Sequence, residues 1–572
     1  MKSRHVFLLL IFAAFFTVSP ALAGQSGGKL DRALQQVVNA GGPPQRVIVR
    51  FTEGQQARVR ELVAARGPIR AEHAGLNAVT AVLASSDLNA LAADPGVASI
   101  SIDAVVKATP ETRLGPPKDV DAPDLLRAAL GLGSTRVDGR HIGVAIVDSG
   151  LAPSPEFVGR ISAFYDFTRG GEAGKPYDDF GHGTHVAGLI GGSGVLSDGQ
   201  FAGVAPAVRF IGLKVLDAQG GGYTSDVIAA IEFAVENRQR LGIDIINLSI
   251  GHPIFEAAAT DPLVQAVERA SAAGIVVVVA AGNFGLNTET QQPGYAGIAS
   301  PGNALSALTV GALDMHGTVA RQDDTVAPYS SRGPSWFDAN AKPDVVAPGH
   351  RMVSAAVLSG SLYVDHPEWR VTASTGAPYL RLSGTSMATA VTSGVAALVL
   401  DAYRDARGPH ANISPNAVKA ILQFTALQLN DNGSAYDALT EGAGGVNAAG
   451  AIELASTLDL SGPLGAACLP SPIDPVTVID GAALPWSQNI VWGQNIVWGQ
   501  NIVWGQNIVW GQNIVWGQNI VWGQNIVWGQ NIVWGQNIVW GQNIVWGQNI
   551  VWGQNIVWGQ NIVWGQNIVW GQ

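Results

Sequence analysis

Hydrophobic and polar positions change their period twice along the chain. Between residues 46 and 107 short segments of two kinds alternate. RVIVRF (46–51) and AVTAVLAS (78–85) read as strands, and VASISIDAVV (97–106) as a last strand. QQARVRELVAAR (55–66) and DLNALAA (87–93) carry helical spacing between them. This is the pattern of a small α+β unit. From about residue 140 the strands become near-continuous apolar runs: IGVAIV (142–147), VRFIGLKVL (208–216), IDIINLSI (243–250) and IVVVVAA (275–281). Runs of that kind suit parallel strands covered on both faces. Helical stretches separate them, such as TSDVIAAIEFAVENRQRLG (224–242) and LVQAVERASAAG (263–274). The alternation predicts a doubly wound α/β fold with a mostly parallel sheet and right-handed crossovers. In such a sheet functional groups gather at the carboxyl ends of strands. From Asn489 to Gln572 the period becomes six, with fourteen copies of NIVWGQ.

Between these regions the chain is punctuated. ATPETRLGPPKDVDAPD (108–124) is rich in proline and charge and reads as an exposed processing segment. The predicted organisation is a leader over 24–109 with its α+β part at about 46–107. A main domain follows over 110–456, then a linker over 457–488 and the repeat tail over 489–572. The first 23 residues have a different character. Lys2 and Arg4 precede an apolar core from Val6 to Val18, and Ala21-Leu22-Ala23 forms a small-residue cleavage site. That is a secretory signal, too short and wrongly flanked for a membrane anchor. The expectation is export, to the medium or the cell surface, with cleavage near Ala23.

Composition narrows the function. A net charge of −11 argues against a nucleic-acid partner. Cys468 is the single cysteine, so an exported chain has no intrachain disulfide to rely on. It reads as an unreactive thiol in the linker.

The candidate chemistry starts at Ser386, in RLSGTSMATAVTSGVAALVL (381–400). Small residues around a hydroxyl serve either close packing of the helix that follows or access of a substrate backbone. A serine nucleophile needs a base, and the base needs an orienting group. VAIVDSGL (144–151) ends a strand with Asp148, and GHGTHVAGLIGG (181–192) places His182 at a helix start. VVVVAAGN (276–283) ends another strand with Asn283, whose amide is a neutral donor for a developing oxyanion. The N–H of Ser386 at its helix start is a second donor.

VDSG, HGTHVAG, AAGN and GTSMA, in this order, resemble the subtilisin-like serine endopeptidases (subtilases) over roughly residues 110–456. Residues 46–109 resemble the inhibitor-type propeptide that precedes such domains. The resemblance implies a secreted endopeptidase of broad specificity, matured from a zymogen and working through an acyl-enzyme. Asp148 then orients the imidazole, His182 is general base and later acid, Ser386 is the nucleophile and Asn283 stabilises the oxyanion. It also implies substrate contacts at Gly220, Gly221 and Gly222 as an edge strand for the extended peptide. Ser249, Ile250 and Gly251 form one pocket wall and Ala280, Ala281 and Gly282 close it, with Ala299 near the floor. Ser300–Pro301 matches a segment with a cis proline. The expected partners are peptide and protein substrates and the chain's own propeptide. The last propeptide strand is expected to enter the cleft, with self-cleavage between about Val106 and Leu114 but not directly before Pro110. No cofactor is required for the chemistry. Many relatives bind structural calcium, but no ligand cluster for it stands out. Ala390 stands where the family usually has proline.

Other residues read more plainly. His185 is a packed helix residue rather than a zinc partner of His182. Asp178 and Asp179 either order the loop before His182 or are only solvated, and the second reading is the one adopted. The tail lacks proline and charge, and its even period puts Ile, Trp and Gln on one face of an extended chain and Asn, Val and Gly on the other. The copies are either a functionless product of replication slippage or, by in-register stacking, a β-solenoid or stacked sheet serving self-association or cell-surface contact, with glycan binding by the tryptophan faces as a weaker option. An alternative reading makes the chain an extracellular structural or adhesive protein in which this tail is the working part.

Overall fold

The computed structural model describes residues 28–108, 125–461 apart from Ser134, Thr288, Gln291 and Asn432, and 468–488. It also describes tail strands at 495–552, 555–558, 561–564 and 567–570. The predicted signal segment and the processing segment after Ala108 lie outside the described residues.

The leader is a four-stranded antiparallel sheet in the order Ile69–His73, Ala78–Leu83, Gln45–Phe51, Val97–Ile102. Strand alternation decides its packing. Val47 and Val49 point to the leader's own core, with Leu34, Val59, Val63, Leu88 and Leu91 from its helices. Ile48, one residue out of phase, joins the core of the main domain. Both faces of the sheet are therefore covered, one of them by the main domain. The predicted strand over 97–106 is broken at Asp103 and Ala104, because these two residues serve the helix Thr224–Glu236. Asp103 accepts the N–H of Ser225 at 2.8 Å, and the Ala104 carbonyl accepts that of Thr224 at 2.9 Å. Orphan donors at a helix N-terminus are thus satisfied from the leader.

The main sheet runs Thr325–Val326, Leu308–Asp314, Val276–Ala280, Ile245–Leu248, Gly143–Asp148, Arg209–Lys214, Ile161–Asp166, Glu172–Ala173, with Val345–Pro348 also on the second strand. The pairs joining the long strands are all parallel; those to the two short edge strands are antiparallel. The four apolar runs read from the sequence are four of these strands, and every residue of the strands Gly143–Asp148, Ile245–Leu248 and Val276–Ala280 is buried. This is the α/β architecture expected, with the α+β unit before it.

The helix Thr385–Arg407 crosses the core, and it is buried without a break from Thr385 to Leu400. Small residues let it approach closely. A Cβ on Gly394 would lie 2.6 Å from Val204 and 3.0 Å from the Ile190 carbonyl.

The expected linker at 457–488 is not a plain linker. Val476–Ile479 and Ala482–Pro485 form an antiparallel hairpin, and Ile479 and Trp486 join the main core. The Trp486 indole donates to Thr477 Oγ1 at 2.7 Å, and that oxygen also accepts from Asn447 Nδ2 at 2.9 Å. Turn residues at 480–481 and one tryptophan are weak signals, and the docking that stabilises them is non-local. Cys468 is exposed.

In the tail, Asn537–Trp540 pairs in parallel with Asn555–Trp558, Asn543–Trp546 with Asn561–Trp564, and Asn549–Trp552 with Asn567–Trp570. Each offset is three repeats, and each residue lies opposite its own kind.

Candidate active site

Asp148 is the last residue of its strand and His182 the first of its helix, and both are fully buried. The Asp148 carboxylate accepts from His182 Nδ1 at 2.8 and 3.0 Å through its two oxygens. One of those oxygens also accepts the N–H of Ser149 at 2.7 Å. An acceptor on Nδ1 puts the imidazole proton there and leaves the lone pair on Nε2. Nε2 is buried and has no hydrogen-bond partner among the described residues. A Cβ on Gly183 would meet the Gly150 carbonyl at 2.2 Å and Asp148 Cβ at 3.1 Å, so glycine there lets the two segments touch.

Ser386 is the second residue of its helix, so its N–H has no acceptor within the helix. Its Oγ donates to the Ser249 carbonyl at 2.9 Å, and Ser249 Oγ donates to the Ser386 carbonyl at 3.0 Å. The hydroxyl is therefore parked on Ser249 rather than on His182. Asn283 is held by Thr385, whose N–H and Oγ1 both donate to Asn283 Oδ1 at 3.0 Å. These two contacts fix Oδ1 as the acceptor end of the amide and Nδ2 as its donor end. A Cβ on Gly384 would lie 3.3 Å from Nδ2, and Gly384 has φ +151°, which L side chains rarely adopt. Glycine is needed here both for the turn and for room in front of the amide. The resemblance implies that the small-residue collar serves access; Gly384 leaves room in front of the Asn283 amide, and further in Gly394 lets the helix pack closely.

The proposed pocket residues also come together. Ala299 would lie 3.3 Å from a Cβ on Gly251 and 3.2 Å from one on Gly282, which has φ +107°. Ala281 is buried, and its N–H donates to Val310 O at 2.9 Å. Ser249 and Ile250 are buried, and Gly251 is half-buried beside them. The edge strand runs Gly221–Tyr223; Gly220 lies in the turn before it with φ +73°, where a Cβ would strike the Phe180 ring. Ser300–Pro301 is cis. His185 is a buried helix residue whose Nε2 meets the Leu380 carbonyl at 3.0 Å and the Met352 carbonyl at 3.2 Å. Burial, with the neighbouring His182, lowers it to about 3, so it stays neutral.

Asp178 corrects the sequence reading. It is buried, not solvated. Its carboxylate accepts from Ser149 Oγ, Gly181 N–H, Thr184 N–H and Thr184 Oγ1 at 2.7–2.9 Å. It ties the Asp148 turn to the start of the His182 helix. Asp179 remains partly exposed but pairs with buried Lys214, whose Nζ also donates to the carbonyls of Ser149 and Leu216. Lys214 was missed; a lysine inside the apolar run IGLKVL was the available signal. Among the described residues no group of three or more His, Cys, Asp or Glu side chains converges as metal ligands.

Known proteins match this arrangement. The model of the subtilase family (Peptidase S8) matches residues 139–444. Serine protease AprX of Bacillus subtilis is 40% identical over 319 residues, covering 55% of this chain and 66% of AprX. Subtilisin DY of Bacillus licheniformis is 34% identical over 300 residues, covering 51% of this chain and 86% of its own. The crystal structure of fervidolysin from Fervidobacterium pennivorans superposes with a TM-score of 0.53 at 24% identity. That match covers 72% of this chain and 61% of fervidolysin, and it bears on the fold alone. The family match spans the segments that carry Asp148, His182, Asn283 and Ser386, so the chain belongs to the subtilase family and is a serine-type endopeptidase.

Proposed function

We propose that Asp148, His182 and Ser386 form the catalytic triad, with Asn283 and the Ser386 N–H as oxyanion donors. The observation that carries this reading is the buried Asp148–His182 pair with an unpartnered Nε2. Rotation of the Ser386 side chain away from Ser249 brings its proton to Nε2. Oγ then attacks the scissile carbonyl carbon, the C–N bond breaks, and His182 returns the proton to the leaving nitrogen. Water repeats the sequence to release the acyl group. Gly220, Gly221 and Gly222 bind substrate backbone from one side and Ser249, Ile250 and Gly251 from the other. Main-chain recognition of this kind supports broad specificity. Ala281 and Gly282 border a pocket that Ala299 keeps shallow. The leader acts as folding aid and inhibitor, and the chain is exported before it matures. The chemistry itself needs no cofactor.

The test is turnover of a chromogenic peptide. The Ser386→Ala protein should lose activity by several orders of magnitude with its fold intact; the corresponding loss in subtilisin is on the order of 10⁶ in kcat. Undiminished turnover would remove Ser386 from the role.

For the tail, we propose a three-sided β-solenoid, one hexapeptide per side, that serves self-association or surface attachment. The three-repeat offset between its paired strands supports this reading. Its segment has no ionisable side chain and takes no part in the chemistry.

A further inference from the structure

Ser149, the residue after Asp148, has every polar atom engaged. Its N–H donates to Asp148 Oδ1 at 2.7 Å, and its carbonyl accepts from Lys214 Nζ at 2.6 Å. Its Oγ accepts the N–H of Gly183, the residue after His182, at 2.9 Å and donates to Asp178 Oδ1 at 2.9 Å. One hydroxyl thus joins the Asp148 turn, the His182 helix and the loop before that helix.

Asp178 completes the frame. Its Oδ1 also accepts the N–H of Phe180 at 3.2 Å and of Gly181 at 2.7 Å. Its Oδ2 accepts the N–H of Thr184 at 2.9 Å and Thr184 Oγ1 at 2.7 Å. Its backbone bridges Gly150. Both hydroxyls already accept an N–H, Ser149 from Gly183 and Thr184 from Ala152, at 2.9 Å each, and turn their hydrogens to Asp178. A carboxyl that faces only donors is ionised. Asp178 is only 4% exposed, and these donors are all neutral.

Capping alone does not call for this charge. A buried ion is costly unless something offsets it, and neutral asparagine or serine caps a helix start about as well. The place of the charge gives it a use. His182 is the first residue of its helix, where free N–H groups carry partial positive charge. An imidazolium formed there during turnover is disfavoured by that end of the helix. Asp178 holds the N–H just before His182 and the one two residues after it, and sets a full negative charge against both.

We propose that Asp178 is a positioning residue of the triad: through Ser149 it fixes Asp148 against His182, and its charge supports the imidazolium formed in turnover. The proposal rests on the triad reading given above. The other charged groups around His182 are few. Asp148 faces it from the strand, the Asp179–Lys214 pair beside Asp178 offsets itself, and His185 in the same helix stays neutral.

The experiment measures chromogenic-peptide hydrolysis against pH for the mature protein and its Asp178→Asn, Ser149→Ala and Ser386→Ala variants, with circular dichroism to report folding. Asp178→Asn keeps the shape of the side chain and removes its charge. Its kcat should fall on the order of 10²-fold, the effect of a misplacement of about 1 Å, with KM little changed because buried Asp178 does not meet substrate. The acid limb of its kcat/KM profile should move to lower pH, since losing a negative charge disfavours the imidazolium. Ser149→Ala keeps the charge, so its acid limb should stay in place while kcat falls about 10-fold, the size of one hydrogen bond to a charged group. A folded Asp178→Asn protein with wild-type kcat, with a change in KM alone or with an unmoved acid limb overturns the proposal. Wild-type kcat in Ser149→Ala also overturns it, and decides the matter where Asp178→Asn does not fold. Ser386→Ala separates this proposal from the reading beneath it. If that variant is inactive, these outcomes reject Asp178 alone; if it is fully active, the triad itself is rejected.

Discussion

Asn283 is oriented by the residue before Ser386, since Thr385 donates twice to its Oδ1. Asn283→Ala should therefore lower kcat by about 10²–10³ with KM little changed, because the amide acts on charge that exists only in the transition state. That magnitude is the one known for the oxyanion asparagine of subtilisin. A change in KM alone would contradict the assignment. Individual residues were legible in the sequence where short motifs carry them. Asp148, His182 and Ser386 each sit in a stretch of small residues that only a tight turn or close approach requires. Asp178 was not legible. Nothing local separates a carboxylate that caps a buried helix start from one in solvent; its donors come from residues 149, 181 and 184. The parked Ser386 hydroxyl was equally invisible, since it depends on a carbonyl 137 residues away.

Between elements, the contact of leader and main domain is charged and partly buried. Asp31 of the leader is pushed up to about 6, and half-buried Glu256 of the main domain to about 8, chiefly by desolvation. Asp261, Arg50 and Ser101 face the same cluster. Separated, both carboxyls return toward ordinary values near 4. The complex thus holds extra protons, and this stability is fully present below about pH 4 and is lost as pH rises from there to about 6 for Asp31 and about 8 for Glu256. His73 of the leader has the opposite sign. Burial lowers it to about 4, so its own contribution falls as pH drops from about 6.5 to 4 and offsets part of the carboxyl gain. Glu232 of the main domain lies 3.9 Å from its Nδ1 and eases that acid loss. Retention of cleaved leader by the enzyme should fall as pH rises from about 4 to 8, because two carboxyls outweigh one histidine, and Glu256→Gln should flatten that fall. Retention that strengthens from pH 6 to 8 would refute this. At the same scale, the apolar strands were readable because burial on both faces leaves no polar positions. The strand Ile161–Asp166 was not, since its exposed and half-buried positions mix polar and apolar residues. The break at Asp103 and the hairpin at 476–485 come from partners distant in sequence.

Over the whole molecule, catalysis and tail are separate claims. The tail pairs only with itself in the strand pairings described. A protein ending at Gln488 should therefore hydrolyse a short peptide at the full-length rate, while losing any concentration-dependent assembly seen by sedimentation. A large drop in peptide turnover would make the tail part of the enzyme, and assembly that persists without it would remove the self-association reading. The repeat was the most legible feature of the sequence and its three-repeat pairing the least, because a hexapeptide period alone does not fix how many copies make one coil. The central claim is that Ser386 is the nucleophile activated by His182 and Asp148. The most direct measurement is peptide mapping after treatment of mature protein with a serine-directed phosphonyl fluoride. The account predicts one adduct, on Ser386, with full loss of turnover and no adduct in the His182→Ala protein; labelling at another serine, or full activity with Ser386 modified, would contradict it.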